Sequence, residues 1–375
     1  MSNLFPENQP NRAKKYSSLK YALAIIDTAY LGAALFVFTA FGFSKALGTL
    51  LFNFTGNYYA VIPLYLLVAS VSYYIVSFPL NFYSSYILEH KFGLSRQTVC
   101  DWCKDQVKGG IVYYVITLIL IALFYWVLNH FTGGWWWIIS IAWIFFSLIL
   151  SRLAPIIIIP LFFKYRKLSS DSLKEKILNL AEKMKVKILD VFEIDFSKKT
   201  LKANAAFVGM GKTKRVILAD TLKDKYSDDE IAVILAHEFA HYKLRHLFKL
   251  ILLNSLVTIL TFYFIFKTSG VVLSFFGFSS LSDVAALPVV MMYLVAFGII
   301  TQPFQNFISR RLERDADRTA LSVTGLKEAF VSMMEKLSAQ NLADRSPHPV
   351  IKFFFFDHPP IDERINMAKN QGRSL

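Results

Sequence analysis

Ala236-His237-Glu238-Phe239-Ala240-His241 is followed, after five residues, by an apolar run over residues 247–266. A metal-binding pattern therefore stands at the head of a membrane-length segment. Histidines four residues apart lie about 40° apart around a helix axis, so both imidazoles reach one ion. The glutamate beside the first is placed to act as general base towards a water at that ion. Just upstream, Ser227-Asp228-Asp229-Glu230 reads as a capping box, with Ser227 as N-cap and Glu230 reaching back to it. From there a helix is expected to run unbroken through the histidines and into the apolar run, setting the metal close to a membrane face.

The rest of the chain supports a membrane setting. Hydrophobic residues make up 55% of it, above the usual soluble share. Strong apolar runs cover residues 21–43, 61–83, 111–128, 135–163, 247–266 and 285–304. Most approach the length of about 20 residues that crosses the hydrocarbon core. The fourth is longer and is interrupted by Arg152, Pro155 and Pro160, so it either kinks or divides into two. The net charge of +14 need not mean nucleic acid. Lys and Arg collect on one set of connections, before 21, at 91–108, from 164 onward and at 310–311. The alternate connections, 44–60, 129–134 and 267–284, hold only Lys45 and Lys267. Six spans with both termini cytoplasmic satisfy the positive-inside bias at every loop. The first run is too long for a cleavable signal and reads as a retained span.

The expected fold is mainly α: a polytopic membrane helical bundle or barrel of six to seven spans, with a cytosolic α+β zinc-peptidase domain. Residues 1–163 would hold the N-terminal transmembrane helices and 164–245 the peptidase region with the histidine helix. Residues 246–307 would add two more transmembrane helices, and 308–375 a further helix and the tail. In the polar stretch, Ser170 or Asp171 caps a helix with Leu173, Ile177, Leu180 and Met184 on one face. Strands are expected at 187–196, 203–209 and 215–220. The tail 341–362, with Pro347, Pro349, Pro359 and Pro360, reads as a loop.

A catalytic zinc site has three protein ligands and one open position. His237 and His241 supply two. Glu313 is the best third candidate, because it opens E-x-x-x-D with Asp317 one turn on, along the same helix face. Asp317 then accepts the free N–H of a ligating imidazole. His246 would lie about 140° around a continuous helix from His241 and is not taken as a ligand.

The chain resembles the zinc-dependent integral-membrane CAAX prenyl endopeptidases of type I. The likeness rests on Leu88-Glu89-His90-Lys91-Phe92-Gly93 with Gln97-Thr98, and on Ala203-Asn204-Ala205. It continues through Arg215-Val216-Ile217-Leu218, Asp220-Thr221-Leu222 and the segment from Val233 to His246. It closes with Ser309-Arg310-Arg311, Glu313, Ala316-Asp317, and His358-Pro359-Pro360 with Glu363-Arg364. The resemblance implies a helical barrel, usually of seven spans, around a water-filled chamber capped by the zinc domain. It also implies one Zn2+ per chain on His237, His241 and Glu313, with Glu238 as catalyst. His358 and Arg364 are then candidates for donors to the oxyanion of peptide hydrolysis. Asn204 and Ala205 would lie on an edge strand that takes an extended substrate by strand addition.

The implied activity is removal of the C-terminal tripeptide from prenylated proteins at the cytosolic face of a bacterial inner membrane or endoplasmic reticulum membrane. The expected partners are a prenylated or other membrane-associated peptide and the lipid bilayer, with no nucleic acid and no nucleotide. One alternative is a protease for misfolded membrane proteins. Another is a non-catalytic transporter or scaffold with a vestigial metal site. Ala206-Phe207-Val208-Gly209-Met210-Gly211-Lys212-Thr213 nearly fits a phosphate-binding loop, but the β-branched residues after it predict a strand instead of the required helix. Cys100 and Cys103 are expected to be an incidental pair on a loop helix.

Overall fold

The computed structural model describes residues 9–168, 170–208, 215–223 and 225–370. The membrane part opens with α1 (Gln9–Ala40) and a short α2 (Phe43–Thr55). The second span is α3 (Tyr58–Phe82), a π-helical turn at Tyr83–Ile87 and α4 (Leu88–Lys91). The third is α5 (Val99–His130), capped by Thr98. The fourth is α6 (Trp135–Leu153), a π-helical turn at Ala154–Ile158 and α7 (Ile159–Phe162). Pro155 falls in that π turn, so the prolines kink this segment without dividing it. Six helices among the described residues are long and apolar enough to cross a membrane.

The polar region follows: β1 (Tyr165–Lys167), α8 (Asp171–Lys183), β2 (Asp190–Ile194), β3 (Ala205–Val208), β4 (Arg215–Ala219), α9 (Asp220–Lys223) and α10 (Asp228–Lys243). The fifth span is α11 (His246–Phe275) and the sixth lies in α12 (Leu287–Thr324). The chain ends with α13 (Lys327–Asn341), α14 (Pro349–Phe355) and α15 (Ile361–Asn370).

Ser170 caps α8, and the capping box at Ser227 and Glu230 is formed. The sheet order is β1-β2-β4-β3. The β1–β2 and β3–β4 pairs are antiparallel, and β2–β4 is parallel. β1 was not expected, because Tyr-Arg-Lys has no apolar alternation. Residues 209–214, and with them most of the near-match to a phosphate loop, lie outside the described residues; β4 beyond them is a strand. The tail is not all loop. Pro349 opens α14, where its missing N–H costs nothing.

Contacts link the six spans in the cyclic order α1, α3, α5, α6, α11, α12, with α2 bridging α1 and α3 and with α12 also packing on α10. One end of the ring is filled by a buried cluster that includes Tyr65, Tyr125, Ile139, Phe262, Ile265 and Ala286. The other end carries the core of the polar region, in which α8, α10, β4, α13 and the last turns of α12 bury Ile177, Val216, Phe239, Ala316 and Phe330. The chain exposes 20533 Å², against about 15,000 Å² for a compact monomer of its mass.

Candidate metal centre

Two helices carry the site, α10 just before the fifth span and α12, which contains the sixth. α10 supplies His237, Glu238 and His241, and the last three turns of α12 supply Glu313 and Asp317. Small residues bring the two together: Ala236 and Ala240 on α10, Ala316 and Ala320 on α12, all fully buried. The structure thus unites the two halves of the pattern, 72 residues apart in sequence between His241 and Glu313.

His237 Nε2 and His241 Nε2 are 3.0 Å apart. Glu313 lies 3.2 Å from each, through Oε2 to His237 and Oε1 to His241. Tetrahedral zinc with bonds of about 2.0–2.1 Å requires donor separations of about 3.3 Å, so this triangle fits. The chemistry of the donors agrees. Glu313 Oε2 is buried with no hydrogen-bond partner among the described residues. It faces His237 Nε2 at 3.2 Å, and the two groups can share a cation or a proton. The surroundings favour positive charge. Burial opposes ionisation of His237, but Asp317 and Glu313 outweigh it and push the imidazole up to about 9.

The support around the triangle is specific. Asp317, with no exposed surface, lies 2.8 Å from His237 Nδ1. It accepts two hydrogen bonds from Arg364, from Nε at 2.7 Å and Nη2 at 2.6 Å. The guanidinium named as a candidate oxyanion donor thus gives its Nε and Nη2 N–H groups to Asp317. Glu238 forms no hydrogen bond or ion pair within the described residues and is half-buried. Burial raises its pKa, with His237 and His241 opposing. His358 is 53% exposed. Its Nδ1 lies 2.8 Å from Asp357 Oδ1 and its Nε2 3.4 Å from Glu313 Oε2, so it borders the open side of the triangle. Asp357 raises its pKa against the effect of burial.

Asn204 and Ala205 sit at the start of β3, an edge strand among the described residues. β3 packs on the histidine helix through Phe207, whose ring lies 5.3 Å from that of Phe239.

Sequence reasoning missed three groups. Arg310, 5% exposed, donates to the carbonyls of Lys352 and Phe356, and Asn306 donates to Phe354 O at 2.6 Å. Together they fix the turn that presents His358. Glu89 gathers Tyr16 (2.6 Å), Lys202 (2.9 Å) and Lys20 (3.3 Å), tying α1 and α4 to the chain entering β3. The adjacent arginines and the Leu88–Gly93 block were visible signals, but their partners were not. The third is His246. The expected continuous helix breaks at Leu244 and Arg245, and this returns His246 to the site.

Residues 1–164 match the family described as CAAX prenyl protease N-terminal, five membrane helices, and residues 167–371 match Peptidase family M48. The first segment here holds four of the long apolar helices and the shorter α2. An uncharacterised metalloprotease of Bacillus subtilis (strain 168) is 30% identical over 363 residues, 96% of this chain and 85% of that protein. CAAX prenyl protease 1 of Saccharomyces cerevisiae is 27% identical over 315 residues, covering 78% of this chain and 68% of that one. The crystal structure of S. mikatae Ste24p superposes with a TM-score of 0.88 over 98% of this chain and 90% of that chain, at 24% identity. That last likeness is one of fold.

Proposed function

The chain belongs to peptidase family M48 and is a multi-pass membrane metalloendopeptidase; from that premise we propose that it hydrolyses peptide bonds near the C-terminus of prenylated proteins. The observation that carries the chemistry is the convergence of His237, His241 and Glu313 beside a carboxylate, Glu238, with no other partner among the described residues. These three residues would hold one zinc ion, which when bound supplies Lewis acidity to a water and to the scissile carbonyl.

Glu238 takes the proton of the attacking water and delivers it to the leaving amine. Its burial suits the task, since a carboxylate with a raised pKa returns a proton more readily. His358, exposed, held by Asp357 and beside Glu313, donates to the oxyanion. Asp317 orients His237, and Arg364 orients Asp317, so Arg364 acts as a positioning residue. β3, an edge strand among the described residues that packs on the histidine helix, together with Asn204 just before it, suits an extended substrate.

The CAAX prenyl proteases among the relatives, from yeast and Arabidopsis thaliana, support the substrate class. Removal of the last three residues after a lipidated cysteine follows from it. The clustering of Lys and Arg on the connections at the peptidase end supports a cytosolic active site. We divide the chain into membrane helices at 1–163, the peptidase region at 164–245, two further spans at 246–307, and the third-ligand helix with the tail at 308–375. The relatives favour neither the quality-control reading nor the non-catalytic one.

The test is hydrolysis by purified protein in detergent, beside Glu238→Gln, of a farnesylated CAAX peptide and an unprenylated unfolded protein. Chelator-sensitive cleavage of the farnesylated peptide in preference to the other is expected. Cleavage of the unfolded protein alone would replace the substrate assignment.

A further inference from the structure

α10 does not continue into the span behind it. It ends at Lys243, Arg245 takes a left-handed conformation with φ 56°, and α11 begins at His246. A non-glycine residue in that region costs about 1–2 kcal/mol, so the break is held by what it achieves. It brings His246 Nδ1 to 3.0 Å from His241 Nδ1, with the two ring centroids 5.0 Å apart at 76°. The His246 side chain is 1% exposed, and its Nε2 is buried without a partner among the described residues. An unsatisfied buried N–H costs about 1–3 kcal/mol. A residue retained at that cost, in a strained turn, needs an explanation beyond packing.

The tautomers give one. For His241 to offer the Nε2 lone pair at the ligand triangle, its proton must sit on Nδ1. His246 Nδ1 is the group that faces this proton, so it must accept, and the His246 proton is left on the orphaned Nε2. We propose that His246 is a positioning residue that holds His241 in the metal-binding tautomer and ring orientation, as Asp317 does for His237. The two supports differ in kind. Asp317 is an anion already neutralised by Arg364, whereas His246 is an uncharged acceptor, so His241 is oriented without adding negative charge to the pocket.

This inference rests on the reading of His241 as a ligand, and the experiment separates the two. Full-length His246→Leu, His246→Asn and His241→Ala are purified in detergent, and Zn2+ affinity is measured by chelator competition. Thermal unfolding in excess chelator reports the fold of each metal-free protein. Leucine fills the space but cannot accept, and a loss of about 10–100-fold in Zn2+ affinity is expected. Asparagine places its Oδ1 near the position of Nδ1 and is expected to recover most of that loss. Wild-type affinity in His246→Leu overturns the proposal. Equal losses in the asparagine and leucine variants also overturn it, since the role would then be packing alone. Wild-type affinity in His241→Ala removes the ligand assignment itself, a different failure.

Discussion

Removing Asp317 separates what holds the fold from what holds the metal. Its carboxylate is fully buried, takes two hydrogen bonds from Arg364, and touches His237 Nδ1 at 2.8 Å. The Arg364 side chain is itself only 11% exposed. Asp317→Ala strands that guanidinium without a counter-charge, and stability is expected to fall by about 3–5 kcal/mol. The same change frees the His237 ring, and Zn2+ affinity is expected to fall by about 10–100-fold, or about 1.4–2.7 kcal/mol. The double variant Asp317→Leu with Arg364→Met removes both charges while keeping volume. Replacing a buried ion pair in this way is often neutral, so most of the lost stability returns. The metal affinity does not, because no acceptor faces Nδ1. Thermal unfolding must be followed in excess chelator, since bound metal adds a mass-action term that would mimic the loss. A double variant that regains metal affinity together with stability would refute the orienting role. An unchanged unfolding midpoint in Asp317→Ala would refute the buried ion pair.

Three other outcomes follow from the geometry. Glu238→Gln is expected to lower hydrolysis by about 10²–10⁴-fold with metal content unchanged; loss of metal alongside activity would make Glu238 a ligand. Glu230, 3% exposed, would have its pKa raised by burial, but Lys336, Ser332 and the Ser227 amide lower it below the ordinary carboxylate value. Its stabilisation is thus complete above about pH 4.3 and drains away as pH falls through the lower folded value. Glu230→Gln should flatten the acid limb of a thermal-stability profile, and an unaltered limb would sink the idea. Asp27 lies inside the first span, exposed, with no ion pair or hydrogen bond among the described residues. A charge facing lipid there costs about 2.5 kcal/mol or more, so Asp27 is expected to face water. Asp27→Cys, in a Cys100→Ser and Cys103→Ser background, should react with a charged maleimide, and failure to react would argue against a wet interior.

What the sequence displayed was set by period and length. Six runs of hydrocarbon length give six spans, and i, i+4 spacing puts two histidines on one helix face, as it does Glu313 and Asp317 on another. Such regularities are local, so they survive without coordinates. The supports are not local. Arg364 lies 47 residues from Asp317, and nothing in its neighbourhood marks it as a partner for a buried carboxylate. β1 hid for a different reason: a tyrosine followed by two charged residues becomes a strand because β2 offers it an edge.

The break at Arg245 shows where helical periodicity misleads. Tyr242-Lys243-Leu244-Arg245-His246 contains neither Gly nor Pro, and every residue in it is tolerated in a helix. A reading by period carries α10 into the membrane and turns His246 away from His241. The fold spends a left-handed arginine to stop that. α12 makes the same crossing from ring to peptidase core with no break, over 38 residues, because its ligand-bearing face needs no correction. One helix is continuous and carries, at i+4 from Glu313, the carboxylate of Asp317 that supports His237 on the other helix. The other is interrupted, and the support of its second histidine comes from the first residue of the next helix. The asymmetry of the metal site is therefore an asymmetry of how two helices leave the membrane, and a variant that straightens the junction at Arg245 should weaken metal binding without touching any ligand.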